Sequence, residues 1–564
     1  MTRQQAVRLI LSLALLGAPL TSNAVSPFQI SGVVVNILDG SPIPHAHLSS
    51  TPASSGQLPG RMGFGGIRPS RAIEADADDS GRFVVTLPSA GRWRLVASAI
   101  GYVAQAYDAH EEFSSSVVLT EADPKFALRF QLSPEAEITG TVVDEAGEAV
   151  REARVMLEHR GAASSGYEKE FRNKAVTQTD DRGLYDFTGL APGDYRVKVD
   201  AKPWYSTSSQ LRMGTPDQTQ EQNLDVTYPL TWFPGANDPM GAEVLSLKAA
   251  DMRRADFQLT PIRAGHVTFA APEMAGPGSP GLPSFPVVER VDAGGAGMVS
   301  AIPNRGADGR MDLGGLTPGV YRVRMAGPNQ ERETRLIEVR AGDSRVIDAS
   351  SAAANVANIT IEDGGQVGLG PAGLELIDTA KGTKFTSFAQ DVFFRAGSGR
   401  VSDGKRESPV TMQVPPGRYE VRLRDRQAYL LGISASGADV AGRFVTVHEG
   451  AATLRLRTAT GRASVHGIAS EEGKPVQGAI VLLIPAGLDD QGNFTAIVRD
   501  QTNTDGSFDL NDVVPGQYIL VAVANGWQIS WNDLATLQHY LTQGVPLELR
   551  PNARVNQDIT AQQP

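Results

Sequence analysis

The stretch Asp505-Gly-Ser-Phe508, followed by Val514-Pro-Gly-Gln-Tyr518, decides the fold because its pattern recurs along the chain. Two glycines ten positions apart mark four copies, at 81 and 91, 183 and 193, 309 and 319, and 506 and 516. A fifth, degraded copy has Gly404 and Gly417. Regular self-similarity of this kind is typical of a tandem array of one structural unit.

The pattern predicts two tight turns that bracket one strand. In the first turn the aspartate caps backbone amides and the glycine takes a positive φ, after which Phe508 enters the core. In the second turn proline presets the first corner and glycine supplies the next, and Tyr518 then starts another strand. We therefore expect strands over 83–87 and 508–513, with core aromatics at both ends.

Strand signals dominate the rest of the chain. Each unit opens with a short apolar strand, such as Val465-His-Gly467, and the segment Tyr195-Arg-Val197-Lys-Val199 alternates apolar and charged residues, as half-buried antiparallel strands do. The 59 glycines and 35 prolines favour many short strands joined by turns. The predicted fold class is all-β, a tandem array of about five transthyretin-like or Ig-like antiparallel β-sandwiches. One short C-terminal helix is predicted over 532–541.

The spacing of the signature places the unit boundaries. We expect a signal peptide over 1–24 and β-sandwich units one to five over 25–134, 135–262, 263–350, 351–459 and 460–564. Units of this size match a single seven-stranded sandwich of about 100 residues. The expected array is quasi-linear, with each unit contacting only its neighbours, and the divergent unit four is expected to be its weakest part.

The order of motifs in a unit resembles that of a known family. Unit five contains Val465-His-Gly467, Gly473-Lys-Pro475 with Ala479, Asp505-Gly-Ser-Phe508 and Pro515-Gly-Gln-Tyr518 in turn. This order resembles the carboxypeptidase regulatory-like domain, a transthyretin-like sandwich, and is similar to collagen-adhesin B-type and starch-binding-like sandwiches. The resemblance implies an accessory, spacer, adhesion or sugar-binding module, and it implies the fold far more strongly than an activity.

Composition limits where the protein acts. The N-terminus has Arg3 and Arg8, an apolar run over 9–16 and the small-residue triplet 22–24, as a secretory signal peptide does. No later segment is long and apolar enough to span a bilayer. The net charge of −11 and the lack of a basic stripe argue against nucleic acid as a partner. We expect an exported protein that is periplasmic, cell-surface or extracellular.

The sequence contains no recognisable catalytic motif. No histidine begins the His-x-x-Glu pair of zinc carboxypeptidases, and no Gly-x-Ser-x-Gly or phosphate-binding loop occurs. The acidic segment Asp76 to Gly81 resembles half of a calcium loop, but Leu87 occupies the twelfth position, so an acidic turn is the favoured interpretation. His45 and His47 are expected to face solvent. We predict that the protein is not an enzyme and that it has no cofactor and no metal. A pair of catalytic carboxylates far apart in the sequence would leave no local motif and remains an open alternative.

One loop of unit two concentrates aromatic residues. The candidate carbohydrate ligands are Trp204, Tyr205, Tyr228, Trp232 and Phe233, because a sugar stacks its C–H face on aromatic rings. The alternative is structural. Trp204 lies nine positions after Tyr195, as Trp527 does after Tyr518, so it could pack like Trp527 while residues 228–234 close the sandwich edge.

The leading functional hypothesis is a non-catalytic, exported array that acts as an adhesion or scaffold protein in the cell envelope. The expected partners are polysaccharides or envelope proteins. The first alternative is a carbohydrate-binding protein that uses the unit-two aromatics, and the second is an unrecognised hydrolase.

Overall fold

The structure is a computed structural model. It describes residues 27–53, 72–162, 169–206, 224–269, 285–292, 295–298, 304–305, 311–326, 334–340, 346–348, 357–363, 373–380, 383–386, 410–424, 428–487, 497–529, 531 and 533–564. The predicted signal peptide, residues 54–71 of unit one and the signature glycines 309 and 404 lie outside these ranges. The chain is an all-β array of sandwiches, as the sequence predicts.

The strands fall into five successive groups. Unit one contains β1 (Gln29–Asn36), β2 (His47–Pro52), β3 (Ile73–Asp76), β4 (Arg82–Thr86), β5 (Gly91–Ala99), β6 (Tyr102–Ala106), β7 (Val117–Leu119) and β8 (Lys125–Leu132). Unit two contains β9 (Ala136–Val143), β10 (Arg154–Ala162), β11 (Lys169–Gln178), β12 (Leu184–Leu190), β13 (Gly193–Asp200), β14 (Val226–Thr227), β15 (Thr231–Trp232), β16 (Leu245–Leu247), β17 (Met252–Arg254) and β18 (Phe257–Gln258). The short β19 (Ile262–Arg263) joins units two and three and pairs with β14.

Units three to five follow the same plan. Unit three contains β20 (Gly265–Phe269), β21 (Phe285–Asp292), β22 (Gly295–Met298), β23 (Asn304–Arg305), β24 (Met311–Leu316), β25 (Gly319–Ala326), β26 (Thr334–Val339) and β27 (Val346–Asp348). Unit four contains β28 (Ala357–Asp363), β29 (Leu374–Asp378), β30 (Lys384–Thr386), β31 (Val410–Val414), β32 (Gly417–Leu423), β33 (Ala428–Ser436), β34 (Ala438–Ala441), β35 (Phe444–Val447) and β36 (Gly450–Thr460). Unit five contains β37 (Ala463–Glu471), β38 (Lys474–Pro475), β39 (Ile480–Pro485), β40 (Val498–Gln501), β41 (Ser507–Val513), β42 (Gly516–Val523), β43 (Val545–Leu549), β44 (Arg554–Asn556) and β45 (Ile559–Thr560). Two 3₁₀ turns, Pro239–Gly241 and Gly526–Gln528, and the helix α1 (Leu534–Leu541) complete the described elements.

One pairing rule holds in all five units. The opening strand lies between an antiparallel neighbour, which is the signature strand, and the closing strand of the same unit, which runs parallel to it. In unit one, β1 lies between β4 and β8, and in unit four β28 lies between β31 and β36. The sequence did not predict this parallel pairing, because the pattern of a half-buried strand does not encode the direction of its partner.

The opening glycine makes room for the closing strand. A Cβ on Gly140 would lie 2.0 Å from the carbonyl oxygen of Ala255, and one on Gly467 would lie 1.9 Å from that of Gln557. The closing strand of units two and five is interrupted at these two residues. There the backbones of the opening and closing strands approach too closely to leave room for a side chain.

The signature turns confirm the sequence prediction. Gly81, Gly183 and Gly506 have φ values of 74°, 75° and 75°, which only glycine adopts without strain. The carboxylate of Asp78 accepts the backbone N–H groups of Ser80 and Arg82 at 2.9 and 2.8 Å. The strands that follow, β4 and β41, lie within a residue of their predicted bounds.

The second signature aromatic anchors each corner through a hydrogen bond. The hydroxyl of Tyr518 donates to the carbonyl oxygen of Val514 at 2.6 Å, four residues earlier. Tyr195, Tyr321 and Tyr419 make the same bond, and the indole N–H of Trp93 replaces it in unit one at 3.3 Å. The repeat therefore fixes both the register and the corner of each sandwich.

The predicted C-terminal helix is confirmed. Its N-cap is Asp533, whose carboxylate accepts the backbone N–H of Thr536 at 2.9 Å. Buried Leu537 and Tyr540 pack against Trp531 and the outer face of β39 and β42, where they form a second apolar cluster of unit five.

Candidate functional site

The five candidate carbohydrate ligands have different environments. Trp204 is 67% exposed, and Tyr205 beside it is half-buried. Tyr228 and Trp232 are only 2% and 3% exposed, and the half-buried Phe233 packs on the core of unit two. The five rings therefore form no shared exposed platform, because Tyr228 and Trp232 have no face available to a sugar.

Trp232 is buried because its segment closes the edge of the sheet. The strand β15 pairs with β13, opposite Lys198, and the indole packs with Met156 and Leu230. The ammonium group of Lys198 lies 5.6 Å from the centre of the indole ring and donates to Glu158 at 2.7 Å. Trp232 thus lies at the sheet edge, where the structural alternative expects residues 228–234.

Trp204 and Tyr205 lie together next to Glu145. The rings of Trp204 and Tyr205 meet edge to face, with centroids 5.6 Å apart. The hydroxyl of Tyr205 donates to one oxygen of Glu145, and the hydroxyl of Tyr228 donates to the other at 3.1 Å. Desolvation and the adjacent carboxylate raise the pKa of Tyr205 to about 12, so it stays a donor at neutral pH.

Trp204 does not pack like Trp527, and that part of the structural alternative is wrong. Trp527 contacts the second cluster of unit five, and its indole N–H donates to the carbonyl oxygen of Gly478 at 2.8 Å. Its ring also stacks on His110 of unit one, with centroids 5.1 Å apart and an interplanar angle of 7°. The repeat position is the same in both units, but among the described residues a neighbouring unit covers Trp527 and leaves Trp204 exposed.

That contact belongs to an extended interface between the first and last units, which we call the clasp. On unit one it comprises Arg92 and residues 107–118, and on unit five Gln477, residues 499–504, Asp509 and Trp527. Residues nearly 400 positions apart are in direct contact. The quasi-linear arrangement expected from the repeat is therefore wrong, because the chain closes on itself through units one and five.

Gln501 is the central residue of the clasp. Its amide nitrogen donates to the carbonyl oxygen of Asp108 at 2.6 Å and to the hydroxyl of Ser115 at 2.9 Å. Gln501 is 2% exposed and Ser115 is 1% exposed, and Ser115 donates onward to the carbonyl oxygen of Thr502 at 2.8 Å. Buried polar atoms are therefore satisfied across the interface rather than within either unit.

Asn503, a signature residue of unit five, forms a hydrogen bond across the clasp. Asn503 occupies the position of Asp78 in unit one and Asp180 in unit two, whose carboxylates cap their own turns. The side-chain oxygen of Asn503 instead accepts the backbone N–H of Ser116 at 2.9 Å, while its nitrogen donates to the carbonyl oxygen of Ser507 at 3.1 Å. An amide serves both tasks because it carries donors as well as an acceptor.

Charged pairs surround this buried centre. Arg499 pairs with Glu111 at 3.3 Å and with Glu112 at 3.6 Å, and Arg92 pairs with Asp509. Asp500 lies next to the pair of Arg92 and Asp509. Desolvation raises the pKa of Asp500 to about 7, although its carboxylate accepts the backbone N–H of Asp509 at 2.7 Å. We therefore expect the charged pairs of the clasp to weaken as the salt concentration rises.

The weaker metal candidates are structural. The Asp76 to Gly81 segment forms the acidic turn described above, and His45 and His47 face solvent. His45 lies 3.2 Å from Asp79 and His47 lies 2.9 Å from Asp76, so the two imidazoles have separate partners. Within the described ranges, no group of three or more histidine, aspartate or glutamate side chains could hold a metal ion.

Comparison with known families gives one match, to the carboxypeptidase regulatory-like domain over residues 137–227. This segment begins in the opening strand of unit two and ends in β14. Residues 137–227 are thus similar to this domain in sequence. The matched segment includes Trp204 and Tyr205, whereas the edge-closing residues 228–234 lie beyond it.

Solved structures with similar β-sandwich units include three bacterial proteins. A streptococcal ancillary pilin is 12% identical, with 57% of this chain and 97% of that chain covered and a TM-score of 0.19. The Bacillus anthracis TIE protein is 8% identical, with 92% and 68% covered and a TM-score of 0.15. The minor pilin GBS52 of Streptococcus agalactiae is 10% identical, with 42% and 96% covered and a TM-score of 0.22. No curated protein matches the chain.

Sequence reasoning missed the clasp, although one signal was present. Asn503 and Thr504 replace Asp180-Asp181 of unit two, whereas Gln501 and Thr502 match Gln178 and Thr179 there. Because charged side chains are rarely buried without a partner, the loss of both carboxylates at this turn favours a covered surface. The helices in the described part of the chain include none long and apolar enough to cross a bilayer.

Proposed function

We propose that the protein is an exported structural and binding scaffold of the cell envelope, whose sandwiches are held in a closed arrangement by the clasp. The buried polar contact of Gln501 and Asn503 with unit one is the observation that supports this proposal. A chain that serves only as a stalk gains reach from an open array. An array closed by the clasp is shorter, but it fixes the positions of the loops that the units display.

The carboxypeptidase regulatory-like domain supports the same role. Members of such sandwich families act as accessory modules, and in this chain the repeated residues are used for turns, corners and cores. Asn503, which differs from Asp78 and Asp180 at the same position, contributes to the clasp, and Trp204 remains exposed although unit five has Trp527 at the same repeat position. We therefore assign the structural role to the repeat and partner binding to the loops.

Two measurements test the scaffold. Small-angle X-ray scattering of residues 25–564 is expected to give a compact particle, and the double variant Gln501→Ala, Asn503→Ala is expected to give a larger maximum dimension. A pull-down from native envelope fractions is expected to retain a partner that the double variant retains less well. An extended wild-type particle, or equal dimensions for both proteins, would exclude the clasped scaffold.

A second candidate function is carbohydrate binding at Trp204 and Tyr205. The exposed indole provides an apolar face, and Glu145 lies beside it as a hydrogen-bond acceptor. On a polysaccharide panel, Trp204→Ala is expected to abolish binding, whereas Met252→Ala, which removes another exposed side chain of unit two, is expected to leave it unchanged. Equal binding by wild type and Trp204→Ala would reject this site.

A further inference from the structure

Unit five contains a hydrogen-bonded serine, histidine and aspartate on the outer face of one sheet. Nε2 of His466 lies 3.0 Å from the hydroxyl of Ser464, and its Nδ1 lies 2.6 Å from Oδ1 of Asp509. One ring nitrogen thus faces a hydroxyl and the other a carboxylate, which is the connectivity of a serine nucleophile, its general base and the group that orients the base.

The strands hold the three side chains in this order. Ser464 and His466 are two positions apart in β37, so they share a face, and His466 is the direct cross-strand partner of Asp509 in β41. The second oxygen of Asp509 accepts from Arg92 of unit one. The clasp therefore fixes the carboxylate that orients the imidazole, and Arg92 is a positioning residue.

The repeat provides an internal reference for these residues. Unit one has Gln29, Ser31 and Val84 at the three equivalent positions, and unit two has Glu137, Thr139 and Asp186. The fold itself therefore requires neither a serine nor a histidine at these positions. Among these three units, the serine and histidine pair occurs only in unit five.

The surroundings allow a substrate to reach the serine. The His466 side chain is 36% exposed. On the other side of β37, the strand β44 places exposed Arg554 opposite Ser464 and exposed Asn556 opposite His466, on the same face. A guanidinium and an amide are the donors that stabilise the oxyanion of acyl transfer.

We propose that Ser464, His466 and Asp509 form a serine-hydrolase site that cleaves carboxylic esters, an activity beyond the scaffold function. Ser464 Oγ attacks the ester carbonyl carbon and its proton passes to Nε2 of His466, while Asp509 stabilises the imidazolium. The tetrahedral centre expels the alcohol, which takes that proton, and an acyl-Ser464 ester remains. Water then repeats these steps, releasing the carboxylic acid and free Ser464.

A fluorophosphonate probe on the full chain tests the proposal, because it labels an activated serine covalently. We expect a label at Ser464, mapped by mass spectrometry, and hydrolysis of p-nitrophenyl acetate that both Ser464→Ala and His466→Gln lower at least about 100-fold. Ser470→Ala, a half-buried serine of the same strand, is the matched control and is expected to keep the label.

The outcomes separate catalysis from structure. Because Ser464 is located by peptide mapping of the wild type, the test stands even if a variant folds poorly. Arg92→Gln is expected to slow labelling while leaving its position unchanged. No label on wild-type Ser464, or equal labelling of His466→Gln, would show that the three residues are a structural hydrogen-bonded cluster, and the scaffold function would be unaffected.

Discussion

The clasp and the junction between units three and four join neighbouring sandwiches by opposite means. At the junction, Val291 and Leu336 of unit three are 5% and 2% exposed and belong to the same apolar cluster as Leu374 of unit four. The clasp instead buries Gln501 and Asn503 and has charged pairs around them. Apolar burial tolerates imprecise geometry and is insensitive to salt, whereas buried polar contacts require specific partners. The junction can therefore be a permanent attachment, and the clasp a selective one.

The largest effect is expected from a substitution in the apolar junction. Leu336→Ala removes a buried side chain and is expected to lower the unfolding free energy of the units it joins by about 2–4 kcal/mol, as such core truncations do. Urea denaturation of the full chain, followed by limited proteolysis of units three and four, measures this loss. The effect should be the same at low and high salt, and a strong salt dependence would contradict the apolar description.

Gln501→Ala breaks the clasp. The carbonyl oxygen of Asp108 and the hydroxyl of Ser115 would lose a buried donor, with an expected cost of about 1–3 kcal/mol. Hydrogen exchange over residues 107–118 should increase in the variant. Gln517→Ala, an exposed glutamine of the same unit, is the control, and equal exchange in both variants would argue against a central role for Gln501.

The ionisation of Asp500 is expected to make unit five less stable as the pH rises. Because its folded pKa is raised to about 7 from 3.8, its contribution to stability is complete below pH 4 and is lost as pH rises to 7. Asp500→Asn should remove this component, so the variant should lose less stability than wild type between pH 5 and 8, by about 3 kcal/mol. Thermal melts across this range are the measurement, and parallel pH profiles would refute the prediction.

The charged pairs of Arg499 should contribute least. Arg499→Gln is expected to cost under about 1 kcal/mol at low salt and nothing measurable at high salt, because partly exposed pairs are screened. Arg340→Gln, which breaks an exposed pair within unit three at 3.3 Å, is the matched control. Scattering should show slight clasp opening for Arg499→Gln at low salt, none for Arg340→Gln, and no difference from wild type for either variant at high salt. Opening by Arg499→Gln that persists at high salt would contradict this ranking.

The sequence predicted the parts of the fold that local chemistry controls. The turn glycines need a positive φ, the carboxylate of Asp78 caps adjacent amides, and Tyr518 bonds a carbonyl four residues away, so each feature appears as a short pattern. The aromatic loop was predicted less well. Trp204 and Trp232 look equivalent as residues, but the pairing of β15 with β13 buries one and leaves the other exposed.

Tertiary structure alone decided the closure of the array and the grouping of Ser464, His466 and Asp509. The partners of Gln501 and Asn503 lie nearly 400 positions away, and a polar residue carries the same sequence signal whether water or another unit satisfies it. The sequence by itself determined an all-β array, because turn chemistry and strand alternation act over a few residues. Which polar faces meet depends on how completed sandwiches pack, and no short pattern records that packing.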